Sequence, residues 1–351
     1  SDPLPPLPPC GACGGAPALT RRHPGPSARA MSTPSLSHTA RAIAQDDPVP
    51  GVRNVVMVMS GKGGVGKSTI AANLAVELAR MGARVGLLDA DIYGPSVPTM
   101  FGIMEHPGCE EGRIETLERH GVKLMSIGFL LEDATTAVAW RGPMLHTALL
   151  QFLRDVAWGE LDLLLLDLPP GTGDVVITLS QNLASTGAVI VTTPQEVAIQ
   201  DVYKAVTMCR KVHIPLLGVV ENQSWFVCEH GTRYELFGRG GGAKVAALAG
   251  APLLGQVPLD IALRECGDAG HPVVDAKPEA ASAQALVAVT RALLARIAEV
   301  NAAAGPSGDR TGGAQRGRAA DALGASRHQC YPALRLGHAD PSSSVIVAIA
   351  S

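Results

Sequence analysis

The stretch "SGKGGVGKST", residues 60–69, satisfies the spacing G-x-x-x-x-G-K-[ST] with Gly61, Gly66, Lys67 and Ser68. Glycines at that spacing let a backbone wrap a phosphate, and the amides of the loop and of a following helix N-terminus point inward to hold it. Gly61, Lys62, Gly63, Gly64, Val65, Gly66, Lys67, Ser68 and Thr69 are therefore the expected phosphate cradle. Lys67 is placed to reach the β- and γ-phosphates of a nucleotide, and the Ser68 hydroxyl to ligate Mg²⁺. Two apolar runs end in carboxylates: "LLDADIYGPS" carries Asp89 and Asp91, and "LLLLDLPPGTGD" carries Asp167. A buried strand ending in Asp fixes a carboxylate on Mg²⁺ or its water shell. Asp89 and Asp167 are thus expected at the metal, with Asp91 orienting the attacking water. A single Asp after a strand also suits a helix N-cap, but three such positions favour the metal site. The glycines behind Pro169 and Pro170 make "PPGTGD" a candidate nucleotide-sensing switch.

A different chemistry is posed by "WFVCEHGTRYELFG", residues 225–238. Cys228 stands between an apolar pair and an acid-histidine-glycine run, and three readings are open: metal ligand, nucleophile, or small buried hydrophobe. The later "ELFGRGGG" reads as a flexible connection into a helix, since a lone glycine cluster does not make a second phosphate site.

The elements that must position these groups are legible from hydrophobic pattern. Short continuous apolar runs occupy 55–59, 84–89, 161–167, 187–193, 215–220 and 252–257, the pattern of strands buried on both faces. Between the first two, Ile70, Leu74, Ala75 and Leu78 line one helical face, and 144–157 and 197–211 also carry helical spacing. Strand, helix, strand in series predicts an α/β fold: a mostly parallel, doubly wound sheet with helices on both faces and ligands at the carboxyl ends of the strands. Hydrophobic residues are 46% of the 351 but aromatics only 3%, so the core is aliphatic. Residues 1–50 and 301–351 lack a sustained apolar period and read as a flexible arm and tail around a folded domain at 51–300. A formal charge of -3 gives no footprint for nonspecific nucleic-acid binding. Seven cysteines, an odd number, argue against a disulfide framework and for a reducing compartment. No apolar run approaches the roughly 20 residues of a membrane span, so the expected location is the cytoplasm.

The pattern K-G-G-x-G-K-[ST], with Lys62 added, resembles the deviant Walker A of the MinD/ParA/nitrogenase-iron-protein class of P-loop NTPases. That resemblance implies an ATP-sandwiched homodimer in which Lys62 reaches the partner's nucleotide. A mobile cation facing the transferred phosphoryl group would stabilise its charge as an arginine finger does. The blocks "SGKGGVGKST", "DADIYGPSVP", "WRGPM" at 140–144, "DLPPGTGD" and "GVVENQSWFVC" together resemble the Mrp/ApbC family of iron–sulfur cluster carrier ATPases over residues 50–300. The family likeness implies slow, switch-type ATP hydrolysis, recipient apoproteins as partners, and adenine recognition by Asn222, with Pro258 and Asp260 in a loop closing over the base.

Family members that bridge a [4Fe–4S] cluster between protomers read "FVCPHCG", which supplies four thiolates per dimer. This chain has Cys228 and His230 but no second cysteine in a segment one residue shorter. His230, Cys10 with Cys13, or Cys266 are the candidate substitutes, while Cys109, Cys209 and Cys330 have no ligand-like neighbours. The competing expectation is a cluster-free regulatory or positioning ATPase whose nucleotide state switches partner binding. Its MinD-like form needs a basic amphipathic C-terminal helix, and residues 283–300 carry few basic residues.

Overall fold

The computed structural model describes residues 40, 41, 43, 46–91, 94–130, 142–171 and 173–303. The chain opens with β1 (Val55–Ser60), α1 (Lys67–Arg80), β2 (Val85–Asp89) and α2 (Val97–Phe101). Two short strands, β3 (Cys109–Glu110) and β4 (Arg113–Ile114), form a hairpin before β5 (Leu117–Arg119) and β6 (Val122–Ser126). There follow α3 (Gly142–Arg154), β7 (Leu163–Asp167), α4 (Gly173–Asn182), β8 (Gly187–Thr192), α5 (Glu196–Lys211) and β9 (Leu216–Glu221). A second hairpin, β10 (Phe226–Val227) with β11 (Arg233–Tyr234), precedes α6 (Gly241–Ala249), β12 (Leu253–Gln256), α7 (Ile261–Asp268), α8 (Val273–Ala276) and α9 (Ala281–Ala303).

Among the described residues the main sheet runs β12-β9-β8-β1-β7-β2-β6-β5, parallel throughout except for β5 at one edge. β1, β2, β7 and β8 are buried at every position, because their side chains enter two cores. Val56 and Val58 pack on one side with α1 and α9, while Val55, Met57 and Met59 pack on the other with α3, α4 and α5. Alternation between two apolar layers is why these strands show no polar alternation in sequence. The six expected strands are all present. β5 and β6 escape the reading because exposed or half-buried polar residues at the sheet edge interrupt their apolar pattern.

The register puts the functional ends together. Asp89 ends β2 directly beside Asp167 at the end of β7, and Asp167 pairs with Val58 of β1, two residues before the phosphate loop begins.

Packing reaches beyond the expected 51–300 boundaries at both ends. Arg41 is buried, pairs with Asp47, and donates to the carbonyls of Val49, Val52 and Ala184, so the chain is anchored ten residues earlier. α9 continues to Ala303. By length and composition α9 is apolar enough to cross a membrane, which the sequence reading does not anticipate. Leu286, Val289, Leu293 and Ile297 are fully buried in the protein core, as in a core helix. Residues 1–39, 42, 44 and 45 of the expected arm and 304–351 of the tail, with Cys10, Cys13 and Cys330, lie outside the described residues, as do Ile92, Tyr93, Trp140 and Arg141. Cys109 on the β3–β4 hairpin is disulfide-bonded, which the expectation of a reducing compartment does not anticipate, while Cys209, Cys228 and Cys266 are free.

Candidate functional site

The phosphate loop connects β1 to α1 along the carboxyl edge of the sheet. Gly66 adopts φ 80°, ψ 27°, a left-handed conformation favouring glycine, and caps α1. A Cβ there would lie 2.2 Å from Asn222 Nδ2. Gly61 is equally constrained, because a Cβ would stand 2.4 Å from the Val202 amide on α5. Gly63 and Gly64 are exposed at the loop tip, Val65 is buried beneath it, and Thr69 accepts from the Asn73 amide through its carbonyl. The loop after β7 lies against the cradle, since Gly171 N–H donates to the Ser60 carbonyl at 3.2 Å.

Lys67 bends across the cradle, 2.6 Å from Asp167 Oδ1, 3.2 Å from Ser68 Oγ and 3.7 Å from Asp91 Oδ2. Buried Asp167 and half-buried Asp91 share the one buried ammonium, whose charge offsets part of the cost of burying them. Burial pushes Asp167 up from the usual carboxylate range, against the lowering pull of Lys67. Its Oδ2 is buried and has no partner among the described residues. An orphaned carboxylate oxygen beside the Ser68 hydroxyl is a donor set of the hard-oxygen kind that Mg²⁺ takes.

Asp89 is fully buried. Its Oδ1 accepts from the Asp91 amide at 3.1 Å, and its Oδ2 from the amides of Ser96 and Val97 and the Ser126 hydroxyl. Those four donors tie the loop after β2 into shape. Burial, and then the charge of Asp167, raise Asp89 to about 7.

Asn222 closes the other wall. Its backbone donates to the Thr192 carbonyl, its Nδ2 donates to the Val65 carbonyl at 2.9 Å, and its Oδ1 is buried without a partner among the described residues. An unsatisfied amide oxygen facing a nucleotide cradle is a ready acceptor for an exocyclic amine. Pro258 is buried in the segment after β12. Asp260 accepts from the Ala262 amide as the N-cap of α7 and from both the amide and hydroxyl of Ser282. Its carboxylate is thus engaged within the protein, a role that motif spacing alone did not suggest.

Lys62, at the start of the loop, donates to Gln195 Oε1 at 3.0 Å. Gln195 belongs to no recognised motif, and the sequence reading missed it.

Cys228 sits at the tip of the β10–β11 hairpin. Its amide donates to the Thr232 carbonyl, and the Gly231 amide donates back to the Cys228 carbonyl. The thiol is partly exposed, and the His230 amide, against some desolvation and with help from Thr232, holds it below the ordinary thiol range. This excludes the buried-hydrophobe reading. Cys266 cannot serve as the missing ligand from its place on α7, because it is buried in the core. Cys209 is likewise buried, against Met59. Among the described residues no three His, Cys, Asp or Glu side chains gather into a metal-holding group.

The hairpin is not remote from the nucleotide wall. The Ser224 amide donates to the Val257 carbonyl, the Leu259 amide to the Trp225 carbonyl, and Phe226 bridges Leu259. Asn222 and Cys228 therefore lie on one segment laced to the 257–259 strand end.

A family model described as ParA, NUBPL iron-transfer P-loop NTPase, matches residues 51–294. The iron–sulfur cluster carrier protein of Deinococcus radiodurans is 54% identical over 257 residues, covering 72% of this chain and 73% of its own. That of Escherichia coli K12 is 47% identical over 269 residues, covering 75% and 72%. A nucleotide-binding protein from Archaeoglobus fulgidus, solved with ADP, is 42% identical with a TM-score of 0.56, covering 63% of this chain and 87% of that one. The cell division ATPase MinD of Pyrococcus furiosus shares the fold at 23% identity and a TM-score of 0.52, covering 68% and 98%. On the match through the whole ATPase core and the identity to these relatives, the chain belongs to the family of NUBPL iron-transfer P-loop NTPases.

Proposed function

We propose that this protein is an ATP-hydrolysing iron–sulfur cluster carrier that holds its cargo at Cys228 between two protomers and hands it to apoproteins in the cytoplasm. The observation that carries the reading is the outward Cys228 thiol, held toward thiolate by backbone amides on a hairpin rooted beside the nucleotide wall. Thiolate is the form that binds iron. Relatives named as iron–sulfur cluster carriers at 46–54% identity support it over a MinD-like positioning role, since the MinD structures stand at 20–24%.

On this reading the loop amides and Lys67 bind the phosphates, Lys67 exchanging Asp167 for phosphate oxygens as ATP enters. Mg²⁺ would be held by Ser68 and Asp167, with Asp89 in its outer shell, and would neutralise charge on the β- and γ-phosphates. Asp91, beside Lys67, orients the attacking water. Asn222 accepts from the adenine amine, while Pro258 and the backbone around Asp260 close over the base. Lys62 of one protomer faces the other's γ-phosphate, and hydrolysis is slow and switch-like. One thiol per protomer leaves a four-ligand cluster short, and His230, exposed two residues on, is the further donor we assign to it.

Anaerobic reconstitution with iron and sulfide, followed by visible absorbance and iron counting, tests the carrier reading. Wild-type protein is expected to take up iron and Cys228→Ala to take up none, with equal ATPase activity. Wild-type protein that hydrolyses ATP but binds no iron would overturn it.

A further inference from the structure

Lys62 is held in its own protomer, and the group that holds it has a particular chemistry. The Ser60 hydroxyl donates to the Lys62 carbonyl at 2.9 Å, which fixes the backbone of the residue. At its far end the ammonium meets Gln195 Oε1 at 3.0 Å. Gln195 is equally well placed. It caps α5 immediately after β8, whose register on β1 is set by the Ser60 to Val191 pairing. The preceding Pro194 carbonyl packs against Gly241, where a Cβ would stand 2.4 Å away. α5 itself presses on the phosphate loop at Gly61.

The acceptor offered to Lys62 is neutral. A carboxylate is one residue away at Glu196, but that side chain pairs with Lys244, and no ion pair with Lys62 is formed among the described residues. A neutral amide oxygen holds an ammonium more weakly than a carboxylate does, and far more weakly than an anionic phosphate oxygen. Such a partner keeps the cation in place yet yields it when a phosphate arrives.

We propose that Gln195 is the positioning residue of Lys62: a neutral, exchangeable holder that keeps the ammonium beside the cradle and releases it to a nucleotide phosphate. The inference deepens the proposed ATPase function and rests on Lys62 acting there. An acidic residue at this position would trap the cation in an ion pair, and the chain's choice of Gln avoids that trap.

The test uses the full-length protein and steady-state ATP hydrolysis. Gln195→Glu is expected to lower kcat about tenfold, in line with the greater strength of a charge-assisted pair, while KM for ATP changes less than about twofold because the Lys67 cradle is untouched. An acid at a helix N-terminus is favourable, so this variant should fold, and its melting temperature checks that. In a Lys62→Ala background the same substitution should have no further effect. Gln195→Met, neutral but unable to accept, should raise the amine-acylation rate of Lys62 severalfold by mass spectrometry in nucleotide-free protein. Full turnover by Gln195→Glu, additive losses in the double variant, or unchanged Lys62 acylation in Gln195→Met would each overturn the proposal. Wild-type turnover by Lys62→Ala alone would instead remove the role of Lys62 on which it rests.

Discussion

Alanine at Gly66 should damage the protein more than alanine at Gly64, although both glycines occupy the left-handed region, at φ 80° and 77°. The difference is in their surroundings. Nothing stands within 4 Å of a Cβ on Gly64, whereas a Cβ on Gly66 meets Asn222 Nδ2 at 2.2 Å. Left-handed backbone costs an L-residue about 1–2 kcal/mol, which is the whole penalty expected at Gly64. At Gly66 the Asn222 side chain must also withdraw from the Val65 carbonyl, adding about 1–2 kcal/mol for a lost buried hydrogen bond. For a folded unit of this size each kcal/mol shifts the melting temperature by about 2–4 °C. Calorimetry on nucleotide-free protein should therefore show a drop of about 2–8 °C for Gly64→Ala and about 4–16 °C for Gly66→Ala. Combining Gly66→Ala with Asn222→Ala removes the clash, so the double variant should be more stable than the sum of the singles predicts by about 1–2 kcal/mol. Equal losses at the two glycines, or strict additivity with Asn222→Ala, would refute the steric account of this wall.

Three further outcomes follow from the geometry. Iodoacetamide should alkylate Cys228 at least about tenfold faster than Cys209, whose burial pushes its thiol up to about 11; peptide mass spectrometry that finds Cys209 or Cys266 labelled first would contradict this. Asp260→Ala should cost about 1–2 kcal/mol in urea unfolding through the lost α7 cap and Ser282 tie. ADP affinity should hold within about twofold, so an unchanged stability with lost affinity would place that carboxylate on the base instead. Asp89 has its pKa raised to about 7 from 3.8, so the folded state keeps a proton that the unfolded chain releases. Its contribution is whole below about pH 4 and is lost as pH rises through 7. The melting temperature of ligand-free protein should fall across that window more steeply for wild type than for Asp89→Asn, and parallel curves would speak against it.

The central strands were readable because both faces are buried, which leaves unbroken runs such as "LLLLD" ending on an Asp. The phosphate loop was readable because backbone wrapping demands glycine at fixed spacing. Other features depend on what folding brings near. Arg41 sits in an Ala- and Ser-rich stretch with no period, and its burial is explained by Asp47 and by the carbonyls of Val49, Val52 and the distant Ala184. Asp260 reads like a loop acid until Ser282, at the head of α9, reaches it. Gln195 lies 133 positions from Lys62 and carries no spacing rule. The exposure of Cys228 likewise follows from the β10–β11 turn rather than from its apolar neighbours.

Asn222 and Cys228 share one short segment, laced on its flank to residues 257–259, and this has a thermodynamic corollary. Six residues fully extended reach only about 20 Å, and the lacing leaves little slack to absorb a shift at either end. Linkage then runs in both directions with equal strength: whatever factor the nucleotide applies to cargo affinity, the cargo applies to nucleotide affinity. With cargo at the proposed Cys228 site and coupling through this segment, the load would be readable as a change in ADP dissociation constant, without any recipient present.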